Sequence, residues 1–278
     1  MTELNFTQVD VFAGRPQRGN PVAVVHDADA LTDEAMAAFA RWTNLSETTF
    51  LLQPSRAGAD YALRIFTPGG ELPFAGHPTL GSCHAWLEAG GAPARDDRIV
   101  QECGAGLVAL DPSTDQLAFA APPLRRSGPL EEGLVARLRA ALALSPEQVL
   151  DHAWVDNGPG WCALLLDSAE RVLEVRPDLA ALDDTALGLV GAWSDTAPLD
   201  FEVRAFVPGL GVPEDPVTGS LNAGIAQWLI GSGKAPPNYT AGQGQVLERD
   251  GRISVSQRGE NIWIAGATET VIRGRVRF

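Results

Sequence analysis

No apolar run in this sequence approaches the roughly 18 residues that a membrane span needs, and Met1 to Asp10 has neither a basic start nor an apolar signal core. A cytoplasmic protein is therefore expected. Cysteine is scarce, and Cys83, Cys103 and Cys162 are too scattered for a disulfide framework or a CxxC metal pair. They read as reduced, buried thiols. The four histidines, His26, His77, His84 and His152, form no HxxxH or HExxH pair, so no metal is expected. Cationic side chains are outnumbered, 21 Lys plus Arg against 35 Asp plus Glu. A net charge of −14 repels phosphate backbones, which argues against nucleic acid and anionic membranes as partners. A dinucleotide fingerprint and a P-loop are missing too, because the glycines of FTPGGELPFAG lack the spacing of those phosphate cradles.

What is present is a chain of 278 residues, 45% hydrophobic, long enough for one large core or two ordinary ones. Short β-type runs recur, among them 9–12, 22–25, 49–52, 61–66, 106–110, 161–166, 201–207, 262–264 and 271–278. Helical patterns interrupt them. One helix is expected over Leu31 to Trp42, behind Thr32 as N-cap and the early acids Asp33 and Glu34, with Ala35, Phe39 and Trp42 on one face. A second covers Gly133 to Leu144. A third is expected to begin at Ser145, where Pro146 and Gln148 complete a capping box. The segment APPLRRSGP at Ala121 to Pro129 has linker composition near the middle of the chain.

The two halves around that midpoint resemble each other at a steady offset, as duplication of a folding unit would leave them. RIFTPGGELP starts at Arg64 and RAFVPGLGVP at Arg204 (204 − 64 = 140), matching Phe66 to Phe206, Pro68 to Pro208, Gly69 to Gly209 and Pro73 to Pro213. Ala23 to Asp27 and Ala163 to Asp167 keep the same offset, although apolar strands agree often by chance. Downstream the register slips by two, laying HPTLGS at His77 over DPVTGS at Asp215. Each copy reads as an apolar strand, a Pro/Gly loop and a helix, through Gly81 to Ala89 or Ser220 to Ile230, that is small or apolar on every face and so suited to burial inside a sheet. Its first amides lack intrahelical partners and carry partial positive charge, so the two helix entrances are expected to aim at one carboxylate at the domain junction.

VDVFAGRPQRGNPVAVV, NLSETTF, FAGHPTLG and EDPVTGS together resemble the signatures of the phenazine-biosynthesis (PhzF-like) family over almost the whole chain. The resemblance implies an α/β class and the diaminopimelate epimerase-like fold, two similar barrel-like half-domains each wrapping a central helix. It places the first half at 1–121, joined by the last strand at 268–278, the second half at 122–267, and implies a homodimer. It also implies a cofactor-independent isomerase acting on a small carboxylate. Glu47, between a helix end and an apolar strand, is the matching acid/base, with Ser46 as a neighbour that orients it. His77 and Asp215 match the family's substrate-contacting groups that steer protonation. Gly76, Gly219 and Ser220 would supply amides and a hydroxyl around a carboxylate or developing oxyanion, and Asn20 a lesser contact through the GNP segment. By ordinary expectation each of these is a cap, a turn residue or a structural histidine. His84 reads as a satisfied core histidine, and Arg64 and Arg204 as structural anchors.

Relatives of the fold that racemise amino acids use two opposed thiols. Neither AGHPT nor EDPVT contains cysteine, so single-glutamate chemistry is expected, resembling trans-2,3-dihydro-3-hydroxyanthranilate isomerisation. The alternatives are an epimerase or dehydratase of a small amino or hydroxy acid, and a non-catalytic small-molecule-binding protein of the same fold.

Overall fold

The computed structural model describes residues 2–13, 15–112, 116–210 and 212–278, so Gly14 of the first motif and Gly211 of the second repeat copy lie outside it. The chain forms two compact units, Met1–Ala120 with Ala265–Phe278, and Ala121–Ile264. No helix among the described residues is long and apolar enough to cross a membrane.

In the first unit the strand Glu3–Val11 pairs antiparallel with both Thr268–Arg277 and Asn20–Val25. Asn20–Val25 runs parallel to Glu47–Leu52, which is antiparallel to Tyr61–Thr67. Tyr61–Thr67 is parallel to Ile99–Cys103, and that strand is antiparallel to Gly106–Asp111. The second unit repeats this alternation. Val149–Asp156, Cys162–Leu166, Leu187–Ala192, Phe201–Val207, Asn238–Gln243 and Gly251–Arg258 pair in turn antiparallel, parallel, antiparallel, parallel and antiparallel. The repeat seen in loops and motifs is thus a repeat of sheet topology.

Each unit encloses one helix. The first central helix, Gly76–Glu88, is flanked by the strands 3–11, 20–25, 47–52, 117–120 and 268–277, which accounts for burial on all sides of its first two turns. The second, Gly219–Gly231, is buried likewise and touches Val149–Asp156 and Gly251–Arg258. Its approach to the sheet requires glycine: a Cβ on Gly224 would stand 2.2 Å from the Val155 carbonyl oxygen. A core of Val25, Met36, Phe50 and Phe66 supports the first unit, and one of Leu138, Leu164, Leu187, Leu189 and Phe206 the second.

Of two local expectations, the helix behind Thr32 forms and the one at Ser145 is corrected. The helix Asp33–Thr43 is capped by Thr32, whose hydroxyl accepts from the Ala35 amide, but it buries Met36 and Ala40. Trp42 is 79% exposed and stacks on Phe39 at 5.8 Å, because two aromatic rings one turn apart can cover each other without entering the core. The capping box at Ser145 is present, yet it opens only a single 3-10 turn, Pro146–Gln148. The next residues join the strand Val149–Asp156, where cross-strand pairing outweighs the cap. The expected helix at Gly133 to Leu144 forms over Glu132–Ala141.

Candidate functional site

Three residues far apart in sequence meet inside the first unit. Asn20 and Glu47 open two parallel strands, in a register that pairs Val22 with Glu47, so both lie at the same end of the sheet. His77 lies in the first turn of the first central helix. The chain reaches Glu47 because the preceding helix stops at Asn44, in the left-handed conformation (φ 54°) that asparagine tolerates. It reaches Asn20 because the buried Asp10 carboxylate accepts from the Arg18 amide (2.9 Å) and the Gly19 amide (3.0 Å), folding the loop back on its own strand. Gly19 is required there, since a Cβ would meet the Val11 carbonyl oxygen at 2.1 Å.

The resulting cluster is nearly dry: His77 is 3% exposed and the Glu47 side chain 14%. His77 Nε2 lies 3.4 Å from Glu47 Oε2, and Nδ1 lies 3.4 Å from Asn20 Nδ2. Burial pushes the imidazole pKa down to about 3, against a weaker opposing effect of the Pro21 backbone. His77 is therefore a neutral hydrogen-bonding group, and its contact with Glu47 is not an ion pair. The two ring nitrogens of His77 thus face the Asn20 amide and the Glu47 carboxylate, the latter as a close approach at 3.4 Å without hydrogen-bond geometry. A carboxylate facing a neutral imidazole can take a proton from carbon and return it.

The sign of the pH effect follows from the lowered value. Between pH 6.5 and about 3 the unfolded chain binds the His77 proton and the folded one does not, so this residue removes stability as pH falls below 6.5. The loss is roughly 1.4 kcal/mol per pH unit. Glu202 acts oppositely: burial raises it to about 7, and its share of the stability is lost as pH rises from 4.5 through 7. The His77 effect is accordingly read by difference. Urea midpoints of His77→Gln should fall less steeply than wild type between pH 6.5 and 4.5, and parallel curves would show that burial does not keep this ring neutral.

In the second unit Asp215 ends a strand paired with Phe201–Val207. The helix cap is Thr218 instead of Asp215, and the Thr218 hydroxyl does not bond the helix amides. It donates to Asp215 Oδ2 at 2.5 Å. Gly219 and Ser220 are the first two residues of the buried helix. Ser220 Oγ accepts from Trp161 Nε1 (3.0 Å), which leaves the hydroxyl hydrogen to point elsewhere, and Asn157 Nδ2 holds its carbonyl (2.8 Å). Thr218, Asn157 and Trp161 were not singled out in the sequence. Thr218 was within reach, inside EDPVTGS; the other two follow from no motif.

The remaining expected residues are placed as follows. Ser46 adjoins Glu47 at the strand start, half-buried, and Gly76 is the buried first residue of the first central helix. His84 is part-buried, with Thr270 at 3.1 Å from Nε2 and Thr268 at 3.0 Å from Nδ1. Arg64 and Arg204 each hold a carboxylate through two hydrogen bonds, to Glu71 and Glu214 respectively. All three cysteines are free and buried, and burial pushes the Cys83 and Cys162 thiols up to about 12, far from thiolate chemistry.

The repeated frame exposes one asymmetry. In the first unit Val22 pairs with Glu47, and in the second Cys162 pairs with Leu187, each residue 140 further on. The position that carries the glutamate in one copy is a fully buried leucine in the other.

Comparison with known proteins gives a consistent picture. A family model described as "Phenazine biosynthesis-like protein" matches residues 9–274. The chain is 38% identical over 296 aligned residues to "Antisense-enhancing sequence 1" of Schizosaccharomyces pombe, covering 99% of each. It is 37% identical over 223 residues to trans-2,3-dihydro-3-hydroxyanthranilate isomerase of Pseudomonas aeruginosa, covering 80% of this chain and 78% of that one. A crystal structure of a phenazine biosynthesis protein of the PhzF family from Enterococcus faecalis superposes with a TM-score of 0.81 at 24% identity, covering all of both chains, and shows the same fold.

Proposed function

Since this chain belongs to the phenazine biosynthesis-like family and is an isomerase of it, we propose that it moves a hydrogen within a small carboxylate by single-glutamate acid/base catalysis, unaided by a prosthetic group. Glu47 is the shuttle. The observation that carries this reading is the asymmetry of the frame, with Glu47 in one copy and Leu187 in the other. A two-base racemase needs a matched pair of acids or thiols, and here the duplicated position keeps one acid while the thiols lie buried with raised pKa. His77, neutral and 3.4 Å from the Glu47 carboxylate, donates to a developing oxyanion without holding a charge that would quench the base. Asn20 is fully buried against His77 and acts through that ring. Asp215 is the substrate-contacting carboxylate of the second unit, with Ser46, Gly76, Gly219 and Ser220 as lesser contacts.

The substrate is a cyclic or amino carboxylate resembling trans-2,3-dihydro-3-hydroxyanthranilate. The test follows that compound and a panel of small cyclic and amino-acid carboxylates by proton NMR in deuterated buffer, with enzyme dialysed against chelator. Isomerisation predicts that the C–H signal of one carbon disappears as the remaining signals shift to those of the isomer, whose newly protonated carbon carries hydrogen where transfer is internal and deuterium where the Glu47 proton exchanges with solvent. Inversion at a single carbon would replace this reading by an epimerase, and an unchanged panel would remove it.

A further inference from the structure

We propose that Gln243 is a positioning residue for Asp215, acting through the Thr218 hydroxyl. The inference rests on the reading of Asp215 as a substrate contact. Gln243 is fully buried at the end of the strand Asn238–Gln243, and its amide is hydrogen-bonded on both sides. Its oxygen accepts from the Thr218 amide (3.0 Å) and from Asn222 Nδ2 (2.9 Å). Its nitrogen donates to the Asp215 carbonyl (3.0 Å) and to Thr218 Oγ1 (3.0 Å). The orientation of this amide is determined by its partners: turned over, its NH2 would face a backbone N–H and another amide donor.

The consequence lies in the hydroxyl. Thr218 Oγ1 accepts from Gln243, so its own hydrogen is directed along the 2.5 Å bond to Asp215 Oδ2. Gln243 therefore grips Asp215 twice, at its backbone directly and at its carboxylate through one hydroxyl. Such a bond to an ionised oxygen is short and directional. It fixes the rotation of the carboxylate and commits Oδ2 to the Thr218 hydroxyl. Packing holds the same segment in place. Gly244, with φ +96°, lies so close beneath the loop that a Cβ would meet the Pro216 carbonyl oxygen at 2.6 Å, and a Cβ on Gly251 would meet Val217 at the same distance.

The other copy of the repeat shows that this is not merely what a buried glutamine does in this frame. Strand pairing sets Tyr61 beside Gln101 and, 140 residues on, Phe201 beside Ala241. A glutamine supports the central helix in both units, but in the second it stands two residues further along the strand. Gln101 bonds Thr79 (3.1 Å) and the Tyr61 hydroxyl (3.0 Å), inside the helix and the core. Gln243, displaced by two, bonds the helix cap and the residue three before it. The shift keeps one bond to the helix, at Asn222, and adds a hold on the approach to it.

The experiment measures kcat and KM for trans-2,3-dihydro-3-hydroxyanthranilate, or for the panel member turned over fastest, with Thr218→Val, Thr218→Ser and Gln243→Met, each alone and combined with Asp215→Asn. Thr218→Val and Gln243→Met are expected to lower kcat about tenfold with KM little changed, and Thr218→Ser, which keeps the hydroxyl, to recover most of the loss. On the Asp215→Asn background neither should lower kcat further, because the group they position is already altered. Equal losses with and without Asp215→Asn would overturn the proposal while leaving Asp215 in its role. A wild-type rate for Asp215→Asn, or no turnover of any probe by the wild type, would remove the role of Asp215 and this inference with it. Should Gln243→Met fail to fold, the Thr218→Val and Thr218→Ser pair decides, since those variants differ from wild type by no more than one hydroxyl or methyl group.

Discussion

Glu47→Gln is expected to slow isomerisation by about 10²- to 10⁴-fold, the range that a positioned general acid/base supplies. The substitution changes little else. Glutamine has the shape of glutamate, it can keep the 3.4 Å approach to His77 Nε2, and a side chain already 86% buried needs no new packing. What disappears is the ability to bind and release a proton. KM should therefore change much less than kcat, because the group acts on the transition state and contributes little to holding the ground state. Thermal unfolding should confirm that the variant is folded. Exchange of substrate hydrogen at the wild-type rate would show that another group carries the proton, and the single-glutamate mechanism would have to be abandoned.

Arg204→Met is expected to destabilise the protein by about 3–5 kcal/mol, whereas Arg64→Met, at the matching position of the first copy, should cost about 0–1 kcal/mol. Both arginines make paired hydrogen bonds to a glutamate, so the bonding pattern alone does not separate them. Burial does. Arg204 and Glu214 are 3% and 10% exposed, and the same guanidinium donates to the Val172 and Val175 carbonyls at 3.1 and 2.7 Å. Removing it strands a carboxylate in the interior and leaves two carbonyls without that donor. Arg64 is 27% exposed, and its partners Glu71 and Asp33 are 42% and 76% exposed, so water replaces what the mutation takes away. Urea denaturation provides the comparison, with a large fall in midpoint for one variant and a small one for the other. Equal effects would mean that the two copies of the repeat bear load alike.

Much of the local structure was legible because it depends on neighbours in the chain. Thr32 caps its helix as its side chain dictates, the central helices are small or apolar on every face because every face is covered, and the 140-residue offset reappears as a repeated order of parallel and antiparallel pairs. Local signals failed where pairing competed with them. The capping box at Ser145 predicts a helix, and the strand that begins at Val149 ends it after one turn. Spacing on the helix Asp33–Thr43 puts Ala35, Phe39 and Trp42 on one face, but which of two adjacent faces is buried depends on the strands that lie beneath.

The sequence by itself determined the family, the duplication, and the residue types able to carry the chemistry: one glutamate, one histidine and one aspartate at matched loops, with no cysteine beside them. Tertiary structure alone decided how those groups behave. The neutrality of His77 comes from strands that surround its helix, and its neighbour Asn20 is 57 residues away in the chain. The hydroxyl on Asp215 is aimed by a glutamine 28 residues further on. Burial and hydrogen-bond direction are properties of what the fold brings together, and side chains so distant in the chain acquire a common environment only when the sheet closes around the helix between them.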